Sequence, residues 1–135
     1  MKRIDPYSLP RPERKVEERT FNDDGIEFAL ALREPNAGDV ARASEVCDRL
    51  VEDFITGVEG VRGPAEFPDP DVKSSRTLFL HCAITAELQV WENPAQGYQP
   101  HDFVVLSARL PRTWAKISIW VGQLLAQLQG REGNG

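Results

Sequence analysis

The first hydrophobic pattern along the chain has a period of two. Ile26, Phe28, Leu30 and Leu32 alternate with less apolar positions, as in a strand with one buried face. A turn cluster at 22–25 ends in glycine, and residues 16–21 can form a partner strand. The sequence therefore predicts a β-hairpin. Its apolar face must pack on other elements, because two strands alone are marginally stable.

The next two segments follow a helical period. Asn36 and Asp39 form a variant capping box directly after Pro35. Apolar residues then recur at three- and four-residue spacing as far as Phe54, which predicts an amphipathic first helix. A second helix is predicted from about residue 72 to residue 91. Its middle is apolar nearly all round, which indicates a central buried helix.

The C-terminal third predicts two more helices. A short one is expected at 102–110, where Pro111 ends it, and a longer one at 112–129, where Gly130 stops it. The predicted fold class is α+β and mainly α, with one β-hairpin, three main helices and one short helix. A chain of 135 residues is expected to form a single domain.

The N-terminus differs from the rest of the chain. Residues 1–17 contain Pro6, Pro10 and Pro12, which favour extended backbone. This Pro-rich arm has five basic and three acidic residues, a net charge of +2. We therefore expect an extended arm at 1–17, one globular domain at 18–130 and a polar tail at 131–135. A loop rich in glycine and proline is predicted at 57–71.

Composition excludes several classes of protein. The net charge of −5 argues against a general phosphate-backbone binder, which needs clustered Lys and Arg. The longest apolar run is far shorter than the roughly 20 residues of a membrane-spanning helix, and no apolar run follows the early positive charges as in a secretory signal. We expect a cytoplasmic protein that binds neither membrane nor nucleic acid.

Candidate chemistry is sparse. Cys47 and Cys82 lie far apart in apolar helical patterns, without the close Cys or His pairs of a zinc site. We expect reduced core thiols, although a disulfide stays open, and no metal, cofactor or catalytic residue. His81 is adjacent to Cys82 on a helix and so points about 100° away from it. A small enzyme or regulator that uses Cys82 and His101 is kept as the alternative from another class.

The predicted partner-binding residues are apolar or aromatic. Trp114 and Trp120 lie six positions apart, which places them 240° apart around a helix. One could be core and the other exposed, or both could cap one core together with Trp91. We take Trp120 as exposed, since Trp favours interfaces. The other expected contacts are Tyr7 and Leu9 on the arm and the strand edge at Phe28 and Leu30.

Two segments resemble the tail assembly chaperones of long-tailed phages. Residues 26–57 read as a short strand, Arg33-Glu34-Pro35, and a capped helix that opens at Asn36 and closes at Gly57. Residues 107–114, followed by an amphipathic helix, are similar to the same group. The resemblance implies a mostly helical, non-enzymatic chaperone that binds tape-measure or tail-tube protein during virion morphogenesis in the host cytoplasm.

The Pro-rich basic arm departs from that family pattern. It fits better in a structural virion component, such as a tail or connector subunit whose arm contacts its neighbours. This is the second interpretation, and under it the protein could be located in the virion. The sequence leaves the partner and the presence of a homo-oligomer open.

Overall fold

The computed structural model describes residues 3–11, 13–56 and 73–133. It contains two strands, β1 (Val16–Asp23) and β2 (Ile26–Arg33). Four helices follow: α1 (Ala37–Thr56), α2 (Lys73–Leu88), α3 (Pro100–Arg109) and α4 (Pro111–Gly133). The α+β, mainly α fold class is confirmed. The predicted loop at 57–71 lies outside the described residues, and the proposed division into arm, domain and tail stays a prediction.

The hairpin forms where the alternating pattern predicts it. β1 and β2 pair antiparallel, with Asp23 opposite Ile26 next to the turn. Asp24 and Gly25 both have positive φ, 51° and 81°, as a two-residue type I′ turn requires. The Asn22 side chain accepts a hydrogen bond from the Gly25 N–H at 3.2 Å. Local turn chemistry thus fixes the register of the hairpin.

The start of α1 matches the predicted capping box. The Asp39 N–H donates to Asn36 Oδ1 at 2.8 Å, and the Asn36 N–H donates to Asp39 Oδ2 at 3.0 Å. These reciprocal bonds satisfy two backbone donors that a helix N-terminus leaves without partners. Beyond them, the buried stripe on α1 includes Ala43, Cys47 and Leu50.

Helix α2 is buried as expected but ends earlier than predicted. Phe79, Cys82 and Leu88 are fully buried. The helix ends at Leu88 instead of Trp91, because the chain beyond it pairs with β2. The Val90 N–H donates to the Ala31 carbonyl at 2.9 Å, and Gln89 forms a bridge with Leu32.

Prolines begin both C-terminal helices. Pro100 starts α3, two residues before the expected start, with a capping box between Gln99 and Asp102. Pro111 ends α3 as predicted and is also the first residue of α4, where its missing N–H costs nothing. The predicted stop at Gly130 is wrong, since α4 runs to Gly133. Glycine lowers helix propensity by about 1 kcal/mol, which does not by itself end a helix.

The core lies between the inner face of the hairpin and the helices. Helix α2 contacts α1, α3 and α4, while α4 also contacts β1. The predicted stripe on α4 is buried at Trp114, Ile117 and Val121. In the described part of the chain, no helix has the length and apolar character needed to cross a membrane.

Candidate functional site

The N-terminal arm carries three apolar side chains that do not pack on the core. Ile4, Tyr7 and Leu9 are 66%, 98% and 56% exposed. Pro6–Ser8 form one turn of 3-10 helix, which the expected extended conformation did not include. Asp5 caps this turn by accepting a hydrogen bond from the Tyr7 N–H at 3.1 Å. Among the described residues, the hydrogen bonds of residues 3–11 stay within the arm. The turn therefore presents Tyr7 to solvent.

The arm is fixed to the domain at Arg14. Its guanidinium donates to the Glu34 carbonyl at 2.9 Å through Nε and pairs with the Asp39 carboxylate. Asp39 is 2% exposed and also pairs with Arg33 and Arg42, at 3.3 Å and 2.6 Å. A carboxylate this buried needs such partners to offset its desolvation. Asp39 thereby connects the arm, the hairpin and α1.

The outer edge of β1 has no neighbouring strand among the described residues. The Glu34 N–H donates to the Lys15 carbonyl, which makes Lys15 and Glu34 a hydrogen-bonded pair. Because such pairs alternate along an antiparallel ladder, the backbone groups of alternate β1 residues point away from β2. These residues are Val16, Glu18, Thr20 and Asn22, and all four are exposed. Within the described residues, β1 pairs with β2 alone.

The same register changes the interpretation of Phe28 and Leu30. Both belong to hydrogen-bonded pairs, opposite Phe21 and Arg19, so their backbone groups point towards β1. The Leu30 side chain belongs to the core and is only 1% exposed, while Phe28 is half-buried. On β2, the backbone groups that point away from β1 belong instead to Glu27, Ala29 and Ala31. The Ala31 carbonyl is already bonded to Val90.

The prediction that Trp120 is exposed is wrong. Trp120 is 1% exposed. The Phe21 ring lies 6.3 Å from it, and the Arg19 guanidinium sits 4.5 Å above its ring. Its Nε1 is buried without a hydrogen-bond partner in the described residues. The hairpin packs against the side of α4 that carries Trp120, a contact that the sequence pattern did not predict. Trp120 is therefore part of the core.

A cluster of aromatic side chains was not identified from the sequence. The Tyr98 ring lies 5.5 Å from Trp91, 5.7 Å from Phe28 and 5.6 Å from Phe103. The Gln89 side chain orients this loop: its Oε1 accepts hydrogen bonds from the Trp91 indole and from the Tyr98 N–H. The sequence feature that could have indicated this cluster is a short loop with Trp91 at one end and Tyr98 at the other.

A groove borders this cluster between β2 and α3. Its lining consists of Phe28, Tyr98, Asp102, Phe103, Val105 and Leu106. Its volume is about 290 Å³. Asp102 is the one charged residue of the lining. We call this feature the aromatic groove.

Neither thiol has the setting of a catalytic nucleophile. Cys47 and Cys82 are free and buried. Burial raises the pKa of both thiols, and for Cys82 the charge of Cys47 raises it further. A reactive cysteine needs the opposite shift and an accessible position. Both are therefore neutral core side chains at physiological pH.

The two imidazoles have other partners. His81 Nδ1 lies 2.7 Å from Ser118 Oγ, and burial lowers its pKa. His101 lies 3.5 Å from the carboxylate of Asp102. Among the described residues, no three or more His, Cys, Asp or Glu side chains form a group that could hold a metal ion.

Alkylation should distinguish the two thiols. We expect iodoacetamide at mildly alkaline pH to modify Cys47 slowly and to leave Cys82 unmodified in the native protein, because Cys82 is fully buried. Both should react after unfolding in guanidinium chloride, which serves as the control. Peptide mass spectrometry gives the extent at each site. Rapid native modification of Cys82 would contradict its assignment to the core.

The described residues thus offer three surfaces for other molecules: the arm around Tyr7, the outer edge of β1 and the aromatic groove. The structure does not bring the five predicted partner-binding residues together. Tyr7 and Leu9 are exposed on the arm, Phe28 lines the groove, and Leu30 and Trp120 are core. No family model, curated protein or solved structure matches this chain.

Proposed function

We propose that the protein is a non-enzymatic assembly factor that binds other proteins. Its specific form, on the sequence resemblance, is a phage tail assembly chaperone for the tape-measure or tail-tube protein. The observation that supports this most is the outer edge of β1. It offers outward-pointing backbone groups at Val16, Glu18, Thr20 and Asn22, all exposed.

Such an edge can receive an extended segment of a client as a third strand. Main-chain hydrogen bonds supply affinity in this mode, and alternate side chains supply specificity. Glu18 places a charge on the exposed face of β1, which limits uncontrolled pairing between edges. An edge of this kind suits a chaperone, whose binding must be reversible.

Thr20→Pro tests this edge directly. The Thr20 N–H points away from β2, so proline removes a donor to the client without breaking the hairpin ladder. The test mixes the purified 135-residue chain with the tape-measure and tail-tube proteins that the proposal names, taken from the same genome, and titration calorimetry measures the dissociation constant. We expect Thr20→Pro to weaken binding by about tenfold or more.

Thr20→Val is the matched control, since it keeps the N–H and a similar shape. It should bind as the original chain does, and circular dichroism should show that both variants are folded. The proposal fails if neither protein binds. The strand-addition mode fails if Thr20→Pro binds with unchanged affinity.

The exposed arm favours a second candidate, a structural virion subunit. Ile4, Tyr7 and Leu9 are exposed on the arm, as expected of an arm that contacts a neighbour. Mass spectrometry of purified virions separates the two candidates. A structural subunit is retained in the particle in fixed copy number, whereas a chaperone is absent.

The Cys/His enzyme has the least support. Its proposed nucleophile, Cys82, is fully buried with a raised pKa. Burial and a raised pKa both oppose an activated thiol, which needs an accessible position and a lowered pKa.

A further inference from the structure

The described residues include two exposed surfaces of aromatic character, the Tyr7 side chain on the arm and the aromatic groove. Tyr7 is 98% exposed and projects from a capped turn of 3-10 helix, which fixes the backbone at this position. The aromatic groove is apolar except for Asp102. The groove volume of about 290 Å³ lies just below the usual range for small-molecule sites, roughly 300–1,000 Å³. A groove of this size suits one or two side chains.

We propose that the N-terminal arm of one copy docks in the aromatic groove of a second copy, with Tyr7 as the anchor. Tyr98 and Phe28 would contact the incoming ring in the tilted or edge-to-face arrangements that aromatic pairs prefer. Tyrosine suits this role because it buries a large area while fixing only two side-chain torsions.

Charge supports a second copy as the occupant. Residues 1–13, which precede the anchor at Arg14, hold three of the 16 basic and two of the 21 acidic residues, which leaves 13 basic and 19 acidic residues in the rest of the chain. The free part of the arm is therefore at +1 and the remainder at −6. The groove repeats this locally, because Arg3 and Arg11 outnumber Asp5 around the anchor and the charged residue of the groove lining, Asp102, is acidic. Opposite charges guide the arm to this site.

The anchor at Arg14 limits the geometry of the assembly. Tyr7 lies seven positions before Arg14, so an extended arm reaches about 25 Å at most. The contact joins different surfaces of the two copies. Two copies can exchange arms reciprocally, or several can close a ring.

Sedimentation equilibrium over a range of protein concentrations tests the contact. The full-length chain should self-associate into a closed oligomer. Tyr7→Ala and Val105→Asp, one on each side of the contact, should each raise the dissociation constant about tenfold or more. Ile119→Asp on an exposed part of α4 is the control, and it should associate as the original chain does.

A chain that stays monomeric at every concentration overturns the proposal. So does an oligomer that persists in both Tyr7→Ala and Val105→Asp. If Val105→Asp is unfolded by circular dichroism, cysteine cross-linking takes its place in a Cys47→Ala, Cys82→Ala background. Mixing Ser8→Cys chains, which keep the Tyr7 anchor, with Val105→Cys chains under a mild thiol oxidant should then give the mixed disulfide, and its absence overturns the proposal.

This inference goes beyond the proposed function and uses different residues. Client binding at β1 is measured with Thr20→Pro, and arm docking with Tyr7→Ala. A monomeric Tyr7→Ala chain that still binds its client would leave the chaperone proposal intact. Failure of client binding would leave the self-association result unchanged.

Discussion

Trp120→Ala should lower the free energy of unfolding by about 3–5 kcal/mol, the usual cost of truncating a buried large aromatic residue. The side chain is 1% exposed between α4 and the hairpin. Its removal leaves a void next to Phe21 and ends the contact with the Arg19 guanidinium. Urea denaturation followed by circular dichroism measures the change.

The neighbouring Ile119 provides the matched control. It lies on the same helix and is 63% exposed, so Ile119→Ala should change stability by less than about 0.5 kcal/mol. A loss of less than about 1 kcal/mol for Trp120→Ala would contradict its place in the core, because only surface substitutions usually cost so little. It would restore the sequence-based interpretation of Trp120 as a surface contact.

Asp39→Ala should lower the free energy of unfolding by about 2–4 kcal/mol. It removes half of the capping box, which costs about 1 kcal/mol. It also leaves Arg14, Arg33 and Arg42 without their shared carboxylate. The remaining loss is below that of a fully buried pair, since the three arginine side chains are partly exposed and screened by water.

Two variants separate the contributions of Asp39. Asp39→Asn keeps an oxygen that can accept from the Asn36 N–H but loses the charge, so it should lie between Ala and the original residue. Asp48→Ala, at an exposed position of the same helix, should be nearly neutral. Equal denaturation midpoints for Asp39→Ala and Asp48→Ala would show that the ion-pair cluster does not stabilise the fold.

The cluster around Asp39 could not be predicted in full from the sequence. The capping box with Asn36 was predicted, because it depends on residues three positions apart. The pairs with Arg14 and Arg33 join three separate elements, and Glu87 on α2 enters the cluster through Arg42 and Arg33. No local pattern encodes such contacts, since charged residues at these positions also suit a solvated surface.

The strand edge shows a similar division. Alternation of apolar residues identified which side chains of β2 face the core. It did not show which edge stays open, because that depends on the chain beyond α2. Val90 bonds to β2 at Ala31, while β1 has no such neighbour among the described residues. The candidate site consequently lies on the strand opposite to the one expected.

The sequence by itself determined the elements whose signals are local: the hairpin with its Asp24-Gly25 turn, the capped start of α1 and the buried centre of α2. Tertiary structure decided what covers each apolar face. Trp114 and Trp120 point in directions 240° apart, and both are buried because Phe103 on α3 packs near one and Phe21 on β1 near the other. Periodicity reports the faces of one helix, whereas burial depends on neighbours distant in sequence.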